Sequence, residues 1–158
     1  MSLQTISESL ARSVAGEAWH GPALGELLAD VTDTEAAAHP VDGAHSIVEL
    51  VLHVAGWMEE VASRLEGHEP GLPSDGDWPP VRPWPEARAR LTRAHERLQR
   101  ALAAFPEARL TEKVGDVRDP PLGSGVSYAA TLIGVTEHNA YHGGQVALLK
   151  RALRGSSA

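Results

Sequence analysis

Apolar residues recur along this chain at the three- and four-residue steps of amphipathic helices. Leu3, Ile6, Leu10 and Val14 predict a first helix over residues 3–15, stopped by Gly16. Glycines and a proline in GEAWHGPALGELLADV then predict a turn, followed by a short helix around Leu24, Leu27 and Leu28. Ser46 and Glu49 form an S-x-x-E capping box ahead of Ile47, Leu50, Val54, Trp57, Val61 and Leu65, which predicts a second main helix ending by Gly67. From Gly67 to Pro85 there are six prolines and three glycines, a composition that continues no helix and carries no strand pattern, so a long loop is expected. Ala87, Leu91, Ala94, Leu98, Ala101, Leu102 and Phe105 predict a third helix, with Glu86 near its positive end and Pro106 just beyond it. A second long connection runs to about Ser124, with Leu110, Val114 and Val117 expected to pack locally. The last helix is predicted from Ser124 or Ser127 through Leu132, Val135, His138, His142, Val146 and Leu149, ending by Gly155.

Four main helices in 158 residues predict an all-α fold, a four-helix bundle forming a single domain over residues 1–158, with residues 155–158 a disordered tail. Aromatics supply only 4% of the residues, so the core must be aliphatic, which favours helices over sheets. The formal net charge of −7 repels a phosphate backbone and argues against a nucleic-acid partner. The N-terminal residues lack the pattern of a secretory signal, and no run of eighteen apolar residues occurs, so a cytoplasmic protein without membrane attachment is expected. With no cysteine, any metal site must be built from histidine, carboxylate and water, and any thiol chemistry needs a thiol from outside the protein.

In HNAYHGGQVALL, His138 and His142 are four residues apart, which on a helix puts both on one face, about 5 to 6 Å apart at Cβ. Leu132, Val135, Val146 and Leu149 continue the same stripe, so the face is the buried one. Two buried imidazoles without partners cost a few kcal/mol, roughly, and a shared metal ion removes that cost. His53, flanked by Leu50, Val54 and Trp57, is a third such ring. The alternative is that they are surface histidines or hydrogen-bonded core histidines. His39, His45, His68 and His95 fall in turns or on polar faces, and His20, in a Gly-Pro turn, is kept as a candidate pocket residue. The pattern departs from H-E-x-x-H: Asn139 follows the first histidine, and the carboxylate is Glu137, about 100° away around the helix. Peptidase activity is therefore not expected, and activation of water would need a base from another helix. Gln145 and Glu49 are candidates to support His142 and His53, one turn away from each, although the capping box already accounts for Glu49. Gly143 and Gly144 inside the helix suggest a close approach by another helix or a ligand.

The segments GAHSIVELVLHVAGWMEEVASRLEG and GVTEHNAYHGGQVALLKRAL, with AWHGPALGELL and the DWP of the central loop, resemble the DinB-like superfamily over nearly the whole chain. The paired motifs H-x-x-x-W and H-N-x-Y-H-x-G-Q carry the likeness and place Trp57, Asn139 and Gln145 beside the histidines as pocket candidates. The resemblance implies a four-helix bundle of up-down-down-up topology with a long crossover between the second and third helices. It also implies a divalent metal, zinc or nickel foremost, on His53, His138 and His142, and a homodimer. The activities it implies are those of metal-dependent transferases that use a low-molecular-weight thiol, or of hydrolases, acting on a small-molecule electrophile. A noncatalytic metal-stabilised stress-response or interaction protein is the alternative.

Overall fold

The structure, a computed structural model, describes residues 2–155; of the tail expected over residues 155–158, residues 156–158 lie outside the described residues. The helices are α1 (Leu3–Val14), α2 (Leu24–Leu28), α3 (Asp33–Ala37), α4 (Ile47–Leu65), α5 (Trp84–Ala104) and α6 (Tyr128–Arg154), with a 3-10 helix at Glu107–Thr111, and no strand occurs among the described residues. Local chemistry sets the helix starts. The Ser46 hydroxyl accepts from the Glu49 amide while the Glu49 carboxylate accepts from the Ser46 amide at 2.7 Å, the reciprocal pair of a capping box. Ser127, whose hydroxyl accepts from the Ala130 amide, is the cap of α6. Ser124 instead donates to the Val117 carbonyl and holds the preceding loop together. α5 begins before the predicted Ala87, because Pro85 occupies its first turn, where a missing N–H costs nothing.

Two elements escaped the periodicity. α3 buries only Ala36, too little for an apolar stripe, and is defined by a second capping box between Thr32 and Glu35. The 3-10 turn after Pro106 buries Leu110, and Val114 is buried beyond it. Val117, expected to pack with them, is instead 76% exposed on the turn that Ser124 closes.

α4 is the central helix. Val48, Val51, Leu52 and Ala55 are buried alongside the predicted stripe of Ile47, Leu50, Val54 and Val61, so this helix is covered on nearly all sides. α5 and α6 pack on it, α1 packs on α6, and all four contribute to one apolar core. Each core leucine or valine adds about 1.5–3 kcal/mol relative to exposure. Arg90 pairs with Glu59 and Arg97 with Glu66, an offset of 31 residues both times, so α4 and α5 run in the same direction. Parallel neighbours need a long crossover, and the proline-rich segment between them supplies it. The crossover lies directly on α4 at Gly56, where a Cβ would stand 3.2 Å from the Cβ of Pro73. Arg90 also bonds Asp75, at 3.0 Å, and fixes the loop's middle. This docking carries residues 77 and 78 to the face of α4 that bears His53. No helix is long and apolar enough to cross a membrane among the described residues.

Candidate metal centre

His53 enters from the buried face of α4, and His138 and His142 from one face of α6. Their rings converge: the Nε2 atom of His138 lies 2.9 Å from Nε2 of His53 and 3.1 Å from Nε2 of His142. One ligand atom from each residue falls within 4.8 Å of the others. Two nitrogens bound to one zinc ion at 2.0–2.1 Å stand about 2.8 to 3.4 Å apart for bond angles between 90° and tetrahedral. The two spacings from His138 Nε2 fall in that range.

The outer nitrogens decide which way the lone pairs point. His53 Nδ1 lies 2.6 Å from the backbone oxygen of Asp77. A carbonyl only accepts, so Nδ1 carries the hydrogen and the Nε2 lone pair faces inward. His142 Nδ1 meets the Gln145 side-chain oxygen at 2.6 Å, which fixes the same tautomer there. His138 Nε2 therefore faces two lone pairs, and a single N–H could satisfy only one of them. The remaining ring nitrogen, His138 Nδ1, is buried without a partner. Burial, reinforced by the neighbouring His142 and His53, holds the His138 pKa down to about 3. Burial also lowers that of His142, against a bond from Gln145 that favours its charged form. Both rings are thus neutral at pH 7, the state a metal requires. A His138 N–H would leave one of the two inward lone pairs unmatched, whereas a divalent cation would accept both together with the Nε2 lone pair of His138.

The surrounding residues come mostly from the crossover loop. Asp77 accepts the Trp57 indole N–H at 2.8 Å through its carboxylate while its backbone oxygen holds His53. The Trp78 ring stacks on His53 with centroids 4.1 Å apart, and His45 stacks on the other face of Trp78 at 3.4 Å. Asp77, Trp78 and His45 are the site residues that sequence reasoning missed. Only the D-W-P of the loop signalled the first two, and His45 had been placed in a turn.

Other candidates fall elsewhere. Gln145 touches the site and Trp57 flanks it, its ring 6.5 Å from that of His138. Glu49 does not reach His53: its carboxylate is engaged by Ser46 and by His39 at 3.0 Å, and those bonds keep it ionised against the opposing effect of burial. Asn139 points away from the imidazoles because α6 turns it toward α1, where it is fully buried and donates to the Ser13 hydroxyl at 3.0 Å. His20 is exposed, on the rim of a cavity of about 760 Å³ whose lining contains none of the three histidines. A Cβ at Gly143 would meet only Leu27, at 3.5 Å, and Gly144 faces open space, so the expected close approach is an ordinary contact at one glycine and absent at the other. Glu137 is exposed, which leaves Asp77, with Oδ1 3.4 Å from His53 Nδ1, as the carboxylate beside the triad.

Comparison with known proteins agrees with this architecture. A solved structure described as a conserved protein from Enterococcus faecalis is similar over 99% of this chain and 99% of its own, with a TM-score of 0.72 at 20% identity, a likeness of fold alone. No curated protein matches the chain. The family model of the DinB superfamily matches residues 18–146, from before α2 to the last turns of α6 and including all three histidines, and the chain belongs to that superfamily.

Proposed function

We propose that this protein is a metal-dependent enzyme in which His53, His138 and His142 hold one divalent ion, zinc or nickel, and that it transfers a small thiol to an electrophilic substrate. The observation that carries the reading is the convergence of three Nε2 atoms, with the tautomers of His53 and His142 set from outside by the Asp77 carbonyl and by Gln145. With three protein ligands, a tetrahedral ion keeps one position for an exogenous ligand. A bound divalent ion supplies Lewis acidity there, lowering the pKa of a thiol or water. The chain's own residues orient and enclose. Asp77 and Gln145 hold the imidazoles, while Trp78 and Trp57 shield them from bulk water.

Thiol transfer is favoured over hydrolysis by the placement of the carboxylates. Hydrolysis by activated water calls for a positioned general base. Glu137 is exposed, Glu49 is occupied in the cap of α4, and the carboxylate of Asp77 is held by Trp57. A metal-activated thiol needs no such base, and the chain has no cysteine to compete for the ion.

The test is an assay of protein loaded with zinc or nickel, using glutathione and other small cellular thiols against 1-chloro-2,4-dinitrobenzene and epoxides. Metal-dependent loss of free thiol is expected, and it should vanish in His138→Ala. Thiol consumption no faster than with metal-free protein, across the panel, would leave the ion a purely structural role.

A further inference from the structure

Alongside the histidines runs a cleft of about 350 Å³ with no assigned role. It lies between α4, α6 and the loop ahead of α6, and His138 is part of its wall. Trp57, Val61, Val126, Val135 and the Pro120–Leu122 segment make the lining largely apolar. Its polar side chains are already engaged. Arg64, only 2% exposed, gives Nε to Glu60 at 3.1 Å, Nη2 to the Gly71 carbonyl at 3.3 Å and Nη1 to that of Gly123 at 3.5 Å. Thr131 donates to the Ser127 carbonyl, and the Trp57 indole to Asp77. The polar side-chain atom left without a partner in this wall is Nδ1 of His138.

Gly134, itself exposed, lines the rim of the cleft. It stands one helical turn before His138 on the same face of α6, and a Cβ built there meets nothing within 4 Å. A larger side chain would project into this space without displacing backbone.

We propose that this cleft is the binding site for the apolar part of an uncharged organic substrate, that Gly134 sets the size it admits, and that His138 brings its reactive end to the metal centre. The inference rests on the metal-centre reading for the last clause only. A charged group seated in the apolar lining, away from the metal end, would be stripped of water and find no free counter-charge, because the guanidinium is matched by Glu60. An uncharged aromatic or alkyl group loses only unfavourable hydration.

The probes are 2-naphthalenemethanol and its anionic counterpart 2-naphthoate, titrated into metal-free protein, where the carboxylate has no ion to ligate, and followed by the amide signals of Gly123 and Gly134 and the indole N–H of Trp57. The alcohol should shift these signals and bind at least tenfold more tightly than the carboxylate. Gly134→Leu should weaken it at least tenfold with zinc content unchanged, and Gly134→Ala should weaken it less. Both replacements raise helix propensity, so the variants should fold, as their circular dichroism will show. Equal binding of the two probes, shifts confined to other residues, or undiminished binding by Gly134→Leu would overturn the proposal. Zinc uptake measured separately distinguishes the two readings: a wild type that takes up no zinc yet binds the alcohol refutes the metal centre and leaves the cleft assignment standing.

Discussion

Replacing Gln145 by leucine isolates the support that the protein gives to one imidazole without touching the imidazole. The side-chain oxygen of Gln145 accepts from His142 Nδ1 at 2.6 Å and so holds the ring with its Nε2 lone pair toward His138. Leucine has nearly the helix propensity of glutamine, is shorter by one atom and offers no acceptor. His142 is buried, so the abandoned N–H loses about 1–3 kcal/mol, or the ring adopts the other tautomer and turns its lone pair away from the centre. Loss of a partner behind a metal-bound histidine typically lowers affinity by about 10- to 100-fold, roughly 1.4–2.8 kcal/mol, which matches the cost of the orphaned donor. Competition with a chromophoric chelator at pH 7.5 should therefore show zinc binding weakened by one to two orders of magnitude. Gln145→Glu, which retains an acceptor, should restore most of it. The ¹⁵N shifts of the His142 ring should report Nδ1–H in the wild type and a mixture in the leucine variant. Zinc affinity within twofold of wild type for Gln145→Leu, with the tautomer unchanged, would refute the idea that this hydrogen bond aims the ring.

Asn139→Ala should lower stability by about 1–3 kcal/mol, because it removes a buried bond to Ser13 and leaves a void between α1 and α6, while zinc stoichiometry stays the same; metal loss at unchanged stability would return this residue to the site. Metal-free protein should lose stability as pH falls from about 6.5, because His138, with a native pKa near 3 and an unfolded value of 6.5, takes up its proton only on unfolding in that window. The slope is at most about 1.4 kcal/mol per pH unit for this group, should shrink in His138→Gln, and is read from urea midpoints at pH 8, 6 and 5; midpoints that do not change between pH 8 and 5 would contradict it.

How far the chain could be read in advance follows from what each element depends on. α1, α4, α5 and α6 bury stripes at helical spacing, and the caps at Ser46 and Ser127 are side-chain chemistry visible in the sequence. α3 was missed because a five-residue helix with one buried alanine leaves no period to detect, although T-x-x-E was there to be read. The triad was legible because two of its members share a helix face and the third interrupts an apolar one. Its surroundings were not. The Asp77 contact to His53 runs through a backbone oxygen, which any residue could provide, and it depends on a crossover pinned far from the site by Pro73 against Gly56 and Asp75 against Arg90. The stack of His45, Trp78 and His53 joins three segments separated in sequence. Asn139 misled for a different reason: adjacency to His138 in sequence rotates it about 100° around α6, out of the site and onto α1.

X-ray absorption at the zinc edge, on protein reconstituted with one equivalent of the metal, tests the central claim most directly. Three imidazole nitrogens at about 2.0–2.1 Å, with one oxygen ligand exchangeable for added thiol, is the predicted shell. A spectrum unchanged in His53→Ala or His138→Ala, or a shell of water and carboxylate oxygen alone, would contradict it.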